Sequence, residues 1–230
     1  MTPEPTHHRR IVSFVRREGR LTPAQQRALD TLYPRWGIPP GEDMLDLDAV
    51  FGRRAPRILE IGIGNGEALI ELACRHPEND YLGIEVHRPG VGRVLNRIEE
   101  EGLGNVRVIC DDAVEVLAKR IPNDSLDRVL LFFPDPWHKK KHHKRRIVNP
   151  VFAQLVRLKL RPGGCLHMAT DWQDYAEHMM GVMSRAEGFE NVAGEGEFVV
   201  RPASRPLTKF EQRGHQLGHA VWDMIFEKVS

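Results

Sequence analysis

Three cysteines in 230 residues, Cys74, Cys110 and Cys165, are too few and too scattered for a disulfide framework or a zinc ribbon. They read as reduced, buried thiols, and no metal site is expected. No apolar run approaches the length of a membrane span, and the opening MTPEPTHHRR lacks the apolar core of a secretory signal. A cytoplasmic protein without membrane contact is therefore expected. Nor does one sign of charge dominate, since 33 Lys and Arg against 32 Asp and Glu leave a formal net charge of +1. That balance hides local separation. Basic residues gather at Arg9–Arg20 and Lys139–Arg146, whereas acids gather at Glu60, Glu85 and the pair Asp111 and Asp112. The separation points to one acidic pocket and one surface facing a polyanion. With 41% hydrophobic residues, the chain can bury one sizeable core.

What the chain does have is a glycine-rich turn between two apolar segments. Within Arg57–Ala73, RILEIGIGNGEALIELA, the first five residues read as a short buried strand, and Leu69, Ile70 and Ala73 fall on one helical face. Gly62, Gly64 and Gly66 supply the positive φ angles and missing Cβ atoms that let the backbone bend sharply and a ligand approach it. A plain turn would use glycines in the same way. The dinucleotide fingerprint wants G-x-G-x-x-G before a free helix amino terminus, but here the third glycine comes one residue early and Glu67 takes the last position. An acid there opposes a phosphate. Glu60 stands just before the glycines, so negative charge flanks the loop and suits the sulfonium and ammonium of S-adenosylmethionine (SAM).

Residues 1–54 show weak periodicity and much proline and arginine, and read as a flexible basic arm, either a solvated tail or one that contacts phosphates. Residues 55–230 read as the domain. A second strand, Tyr81–Val86, ends in Glu85, placed about 20 residues past the glycines to take both hydroxyls of an adenosyl ribose. The helix Arg88–Glu101 leads to a third strand, Val106–Cys110, and then to Asp111 and Asp112. Asp112 can accept the exocyclic amine of adenine or cap the helix over Ala113–Arg120. Ser125–Phe133 is continuously apolar, as a central parallel strand should be.

The run after that strand, PDPWHKKKHHKRR over Pro134–Arg146, projects Asp135 and Trp137 from a turn fixed by two prolines. Six of the eight residues in Lys139–Arg146 are Lys or Arg. Its place at the carboxyl end of a strand, where open α/β sheets bind ligands, sets it apart from a detached charge run. A helix over Asn149–Leu160, a turn at Gly163 and Gly164, and a strand Cys165–Ala169 ending in Thr170 and Asp171 come next. A helix from Trp172 to near Ala186, a strand within Phe189–Arg201 and a last strand over Ala220–Lys228 complete the pattern. Between those two strands, Thr208, Lys209, Glu211 and Arg213 cluster at a helix start, as a capping box or as functional groups.

Taken together, EIGIGNG, Glu85, Asp112, FPDPWHKKKHHKRR, the ATD of Ala169–Asp171, and TKFEQRG followed by GHAVWD resemble bacterial tRNA (guanine-N7)-methyltransferases of the TrmB family. The resemblance runs from near Arg9 to the end, and its specific parts are DPW with the basic run, and TKFE. Ile63 and Asn65 fill variable slots, and His138 stands where some relatives have proline. The resemblance implies a Rossmann-like α/β fold of the class I SAM-dependent methyltransferases, with a mostly parallel seven-stranded sheet and helices on both faces. It also implies methyl transfer from SAM to N7 of the guanine at position 46, in the variable loop of tRNA. The family's SAM contacts map onto Glu60, Glu85, Asp112 and Asp135, and its catalytic role onto Asp135. Substrate contacts map onto Lys139, Asp171 and the stretch Thr208, Lys209, Phe210 and Glu211. The basic run, with Lys141, Lys144, Arg145 and Arg146, is associated with RNA.

Guanine N7 carries an in-plane lone pair and no proton, so it can attack a methyl sulfonium without a general base. Asp135 or Asp171 could hold the N1–H and N2–H edge of the base, while Trp137 or Phe133 is either a stacking surface for an extruded base or a core aromatic. Two other readings stand beside this one. A SAM methyltransferase acting on another RNA, a protein or a small molecule would keep the glycine loop, and the small-molecule version has no use for the clustered cations. A non-catalytic RNA-binding protein with a Rossmann-like domain would keep the cations without turnover. Monomer or homodimer is left open by the sequence.

Overall fold

Apolar side chains alternate between two buried faces along the first strands, which is why helices cover both sides of the sheet. Ile58 of β1 (Arg57–Ile61), Tyr81 of β2 (Asp80–Ile84) and Val106 of β3 (Val106–Ile109) point to one core. Their neighbours Leu59, Leu82 and Ile109 point to the other. The computed structural model describes residues 13–14, 19–207, 211 and 220–229.

Strands β1 to β5 run parallel, with β4 (Leu126–Phe132) between β1 and β5 (Leu160–Thr170). Strand β7 (Trp222–Lys228) lies antiparallel between β5 and β6 (Phe189–Asn191), giving a seven-stranded sheet in the order β3-β2-β1-β4-β5-β7-β6. Helices α4 (Glu67–Arg75) and α5 (Arg88–Glu100) fill one face through residues such as Leu69, Val94 and Leu95. The other face is filled by α6 (Ala113–Lys119), α7 (Pro150–Lys159) and α8 (Gln173–Met183), through Leu117, Phe152 and Met179. These elements match the expected ones within a few residues, except that β5 begins at Leu160. The turn expected at Gly163 and Gly164 survives as an irregularity inside that strand, where pairing with β4 steps from Leu126↔Leu160 to Arg128↔Cys165.

The expected flexible arm is corrected for residues 23–51, which fold onto the domain as α1 (Pro23–Thr31), α2 (Tyr33–Trp36) and α3 (Leu47–Phe51). A capping box starts α1, with Thr22 Oγ1 accepting from the Gln25 amide and the Gln25 side chain accepting from the Thr22 amide. Ala28 and Trp36 are buried against the α5 side, the Trp36 indole N–H donates to Glu99, and the Ile38 amide donates to the Val108 carbonyl at 2.8 Å. The last bond continues the sheet past its β3 edge at one isolated bridge, pairing the Val108 carbonyl that would otherwise lack a backbone partner. Few apolar residues do this work, and the proline and arginine around them mask their pattern.

The contact between α1 and α5 is tight enough to test. A Cβ on Gly92 would lie 2.9 Å from the Gln25 carbonyl oxygen and 3.1 Å from its Cα. Gly92→Leu should therefore cost roughly 1–3 kcal/mol by overpacking and lift α1 off the domain. Limited trypsin digestion should then cut after Arg27 and Arg35 faster than in the native protein, and equal cutting rates would show that α1 is not held there.

Candidate active site at the carboxyl ends of the parallel strands

The glycine loop after β1 is built as a series of left-handed turns, with φ of 75° at Gly62, 53° at Gly64 and 72° at Gly66. Gly62 lines the cleft that follows, whereas Gly66 is buried and serves packing, since a Cβ there would meet Val94 Cγ2 at 2.4 Å. Gly90 of α5 has the matching role from the other side, its absent Cβ leaving room for the Gly64 carbonyl oxygen. Glu85, just past β2, ties the loop down, one oxygen accepting from the Gly64 amide at 2.8 Å and the other from the His87 amide at 2.9 Å. Asp112 caps α6 by accepting from the Val114 amide at 3.0 Å, so the capping alternative is present, and the same residue lines the cleft.

Two compartments meet beyond β4. A cleft of about 280 Å³ is lined by Gly62, Glu85, Asp111 and Asp112, and a larger cavity of about 910 Å³ by His138, Asp171, Trp172 and Trp222. Phe133, Pro134 and Asp135 line both. The segment between them is strained at both ends, for Phe133 and Trp137 hold φ of 51° and 50°. Left-handed backbone at bulky residues costs on the order of 1–3 kcal/mol each and persists only where surroundings enforce it.

Those surroundings include a buried charge cluster that the sequence reading missed. Arg205, 2% exposed, donates to both carboxylate oxygens of Glu211 at 2.6 Å and to both of Asp223 at 2.7 and 2.9 Å. His167 Nε2 meets Asp223 Oδ1 at 2.8 Å, and the Phe132 and Phe133 rings lie 5.9 and 5.7 Å from the guanidinium. Burial opposes the Arg205 charge, yet the bonds from Glu211 and Asp223 outweigh it and raise its pKa. Glu211, expected as a substrate contact, is buried here and braces Arg205. Its companions Thr208, Lys209 and Phe210 lie outside the described residues, as does Arg213. An acid, Asp223, within the apolar first part of strand β7, WDMIF, was the available signal for this cluster.

The basic run splits into outward and inward parts. Lys139, Lys141 and Lys144 are exposed around a 3₁₀ turn over Lys140–Arg145, and Arg145 lies over the Trp137 ring at 4.9 Å. Arg146, expected as a phosphate contact, is turned inward: it is 3% exposed, pairs with Asp174, donates to the Pro136 carbonyl at 3.0 Å and covers Tyr175. Trp137 is half-buried, with its indole N–H donating to the Ser13 carbonyl at 3.2 Å. Asp135 is exposed and Asp171 half-buried, both facing the larger cavity. Among the described residues no cluster of metal-ligating side chains occurs, and no helix is long and apolar enough to cross a membrane.

The family model described as "Putative methyltransferase" matches residues 54–224. A tRNA (guanine-N(7)-)-methyltransferase of Alcanivorax borkumensis is 61% identical over 220 residues, covering 96% of this chain and 92% of the relative. One of the same name from Escherichia coli is 60% identical over 221 residues, with the same two coverages. This chain belongs to that family of methyltransferases. Its fold is shared more widely, as the crystal structure of 16S rRNA methyltransferase KamB superposes with a TM-score of 0.61 at 14% identity, over 82% of this chain and 95% of that one. The seven-stranded Rossmann-like architecture expected from the sequence is the one present.

Glu60, fully buried at the end of β1 between Gly83 and Leu130 in register, has an Oε2 with no hydrogen-bond partner among the described residues. Burial, and then the nearby Glu85 charge, push its pKa from 4.5 up to about 8. The folded protein thus holds a proton there that the unfolded chain has already lost, so stability falls as pH rises from about 4.5 to about 8. Glu60→Gln keeps the shape and cannot ionise. Its melting temperature should match that of the native protein near pH 4 and exceed it by a margin that grows up to about pH 8 and then stays level. A margin independent of pH would show that Glu60 titrates alike in the folded and unfolded protein.

Proposed function

We propose that this chain transfers the methyl group of SAM to N7 of guanine in tRNA, at position 46 of the variable loop, as a cytoplasmic enzyme. The observation that carries the reading is the wall of Phe133, Pro134 and Asp135 common to an acidic cleft and a larger cavity beside exposed cations. The names and the roughly 60% identity of the relatives, over nearly the whole chain, support the tRNA substrate and the N7 position.

The residues present fit SAM. Glu67 in the first turn of α4 keeps phosphate from the helix amino terminus, where the dinucleotide fingerprint would hold one. The orphaned oxygen of Glu60 needs a donor, which the ammonium of the methionine part supplies. Glu85 uses two of its roughly four lone-pair sites on backbone amides, so others remain for the ribose hydroxyls. Asp112 caps α6 with Oδ1 and offers its second oxygen to the adenine amine. Bound there, SAM supplies an electrophilic methyl group.

The chain's own part is positioning and charge. Because N7 has no proton to lose, Asp135 holds the base and opposes the positive charge that forms on it, and no general base is required. Asp171 and Lys139 hold the substrate from the larger cavity and its rim, while Lys141, Lys144 and Arg145 neutralise tRNA phosphates. Glu211 and Arg205 act indirectly, by fixing the wall that carries Phe133.

Incubation with labelled SAM and unmodified tRNA, followed by chemical cleavage at N7-methylguanine, tests the reaction, and label absent from that nucleotide overturns it. Asp135→Asn keeps size and removes charge, so single-turnover methyl transfer should slow by about 10²-fold or more while tRNA affinity changes little. The native rate should be nearly equal in H₂O and D₂O at matched points of the pH profile. A large solvent isotope effect on the chemical step would assign Asp135 to proton transfer instead. Replacing Lys141, Lys144 and Arg145 together by alanine should lower the log-log salt slope of tRNA binding by about 0.7–0.9 for each phosphate that is no longer neutralised. Arg146→Ala should lower the melting temperature and leave that slope alone.

A further inference from the structure

Most aromatic rings near the two compartments are already engaged by protein. Phe133 lies against Arg205, Trp137 is covered by Arg145 and anchored to Ser13, and Trp222 is half-buried against the core. Trp172 is different. It is 41% exposed and lines the larger cavity together with Asp135, His138 and Asp171. An indole 41% exposed beside carboxylates is only partly used by the fold, and it offers a wide apolar face next to hydrogen-bond acceptors.

Its perch is rigid. The Trp172 amide donates to Thr170 Oγ1 at 3.3 Å, and its carbonyl accepts from the Tyr175 and Ala176 amides at 3.0 and 2.9 Å, fixing the backbone at the start of α8. The His138 ring meets the indole edge-on, with centroids 4.2 Å apart and planes 66° apart, which restrains the side chain. A held aromatic face with a carboxylate as its chain neighbour matches guanine in both respects. The purine face stacks on the ring, and the N1–H and N2–H edge donates to the acid, where adenine would present an N1 acceptor.

Resting on the guanine reading above, we propose that Trp172 is the stacking surface for the target base, braced by His138, and that Asp171 beside it reads the guanine edge. Of the two candidates that the sequence offers for stacking, Trp137 anchors the loop to Ser13 and Arg145, and Phe133 lies against Arg205.

The test compares binding of tRNA with that of the same tRNA made abasic at the target nucleotide, by filter binding in the presence of S-adenosylhomocysteine. Native protein should prefer the intact tRNA. Trp172→Ala should lower that preference by about 5- to 150-fold, the range for losing one base–aromatic stack, while its affinity for the abasic tRNA stays native. Trp172→Phe should keep most of the preference, and His138→Ala should reduce it less than Trp172→Ala does. A misfolded variant would lose affinity for both tRNAs, a pattern that the phenylalanine variant with native abasic affinity separates from loss of stacking. Trp172→Ala with a native preference, or Trp172→Phe as impaired as Trp172→Ala, overturns the proposal. If native protein makes no N7-methylguanine, the parent reading fails; if it does and Trp172→Ala keeps the preference, only the stacking role fails.

Discussion

The site depends on a single topological constraint. From β1 the chain moves outward to β2 and β3, then crosses back to place β4 on the other side of β1. The connections that follow β1 and β4 therefore leave in opposite directions, and a crevice opens between them. Gly62 stands on one lip and Phe133 to Asp135 on the other, while the buried Glu60 and Leu130 are direct partners across the β1–β4 pair. Each further feature, from the Glu85 clasp to the capped start of α6, is a way of finishing the rim of that crevice.

Much of this was legible because it is local. Glycines at Gly62, Gly64 and Gly66, an acid at the tip of β2, and an aspartate before α6 are signals carried by a few adjacent residues, and each falls where strand and helix periodicity put it. What escaped is non-local. Composition marks Lys139–Arg146 as basic but cannot tell that Arg146 turns inward to Asp174, 28 residues away. Arg205 finds Asp223 only after β7 has entered the sheet, and nothing near Arg205 in sequence announces that pairing. The helices within residues 23–51 were hidden for a different reason, since their burial rests on a few side chains such as Ala28 and Trp36 among many polar ones.

The Arg205 cluster is costly to build and costly to break. Desolvating a guanidinium and two carboxylates is unfavourable, and only complete pairing of the kind seen here compensates for it. Removing Arg205 would leave two buried carboxylates without the guanidinium that both depend on, so the cluster hangs on that one residue. It couples Glu211, strand β7 and the Phe133 turn, which places the wall of the larger cavity under the control of residues far from it in sequence.

Strand β7 also imposes an order in time. The lining of the smaller cleft is complete once the chain has reached Ile147, whereas the larger cavity waits for Ala220 and Trp222, and the Arg205 cluster for Asp223. A polypeptide leaving the ribosome amino end first has every residue that lines the smaller cleft before it has all those of the larger cavity. Until β7 arrives, β5 is an open sheet edge with free backbone donors and acceptors. Chain termination shortly before β7 would therefore yield a product with one compartment, one missing wall and an unprotected strand, which makes the last stretch of synthesis the step at which both the sheet edge and the larger cavity are closed.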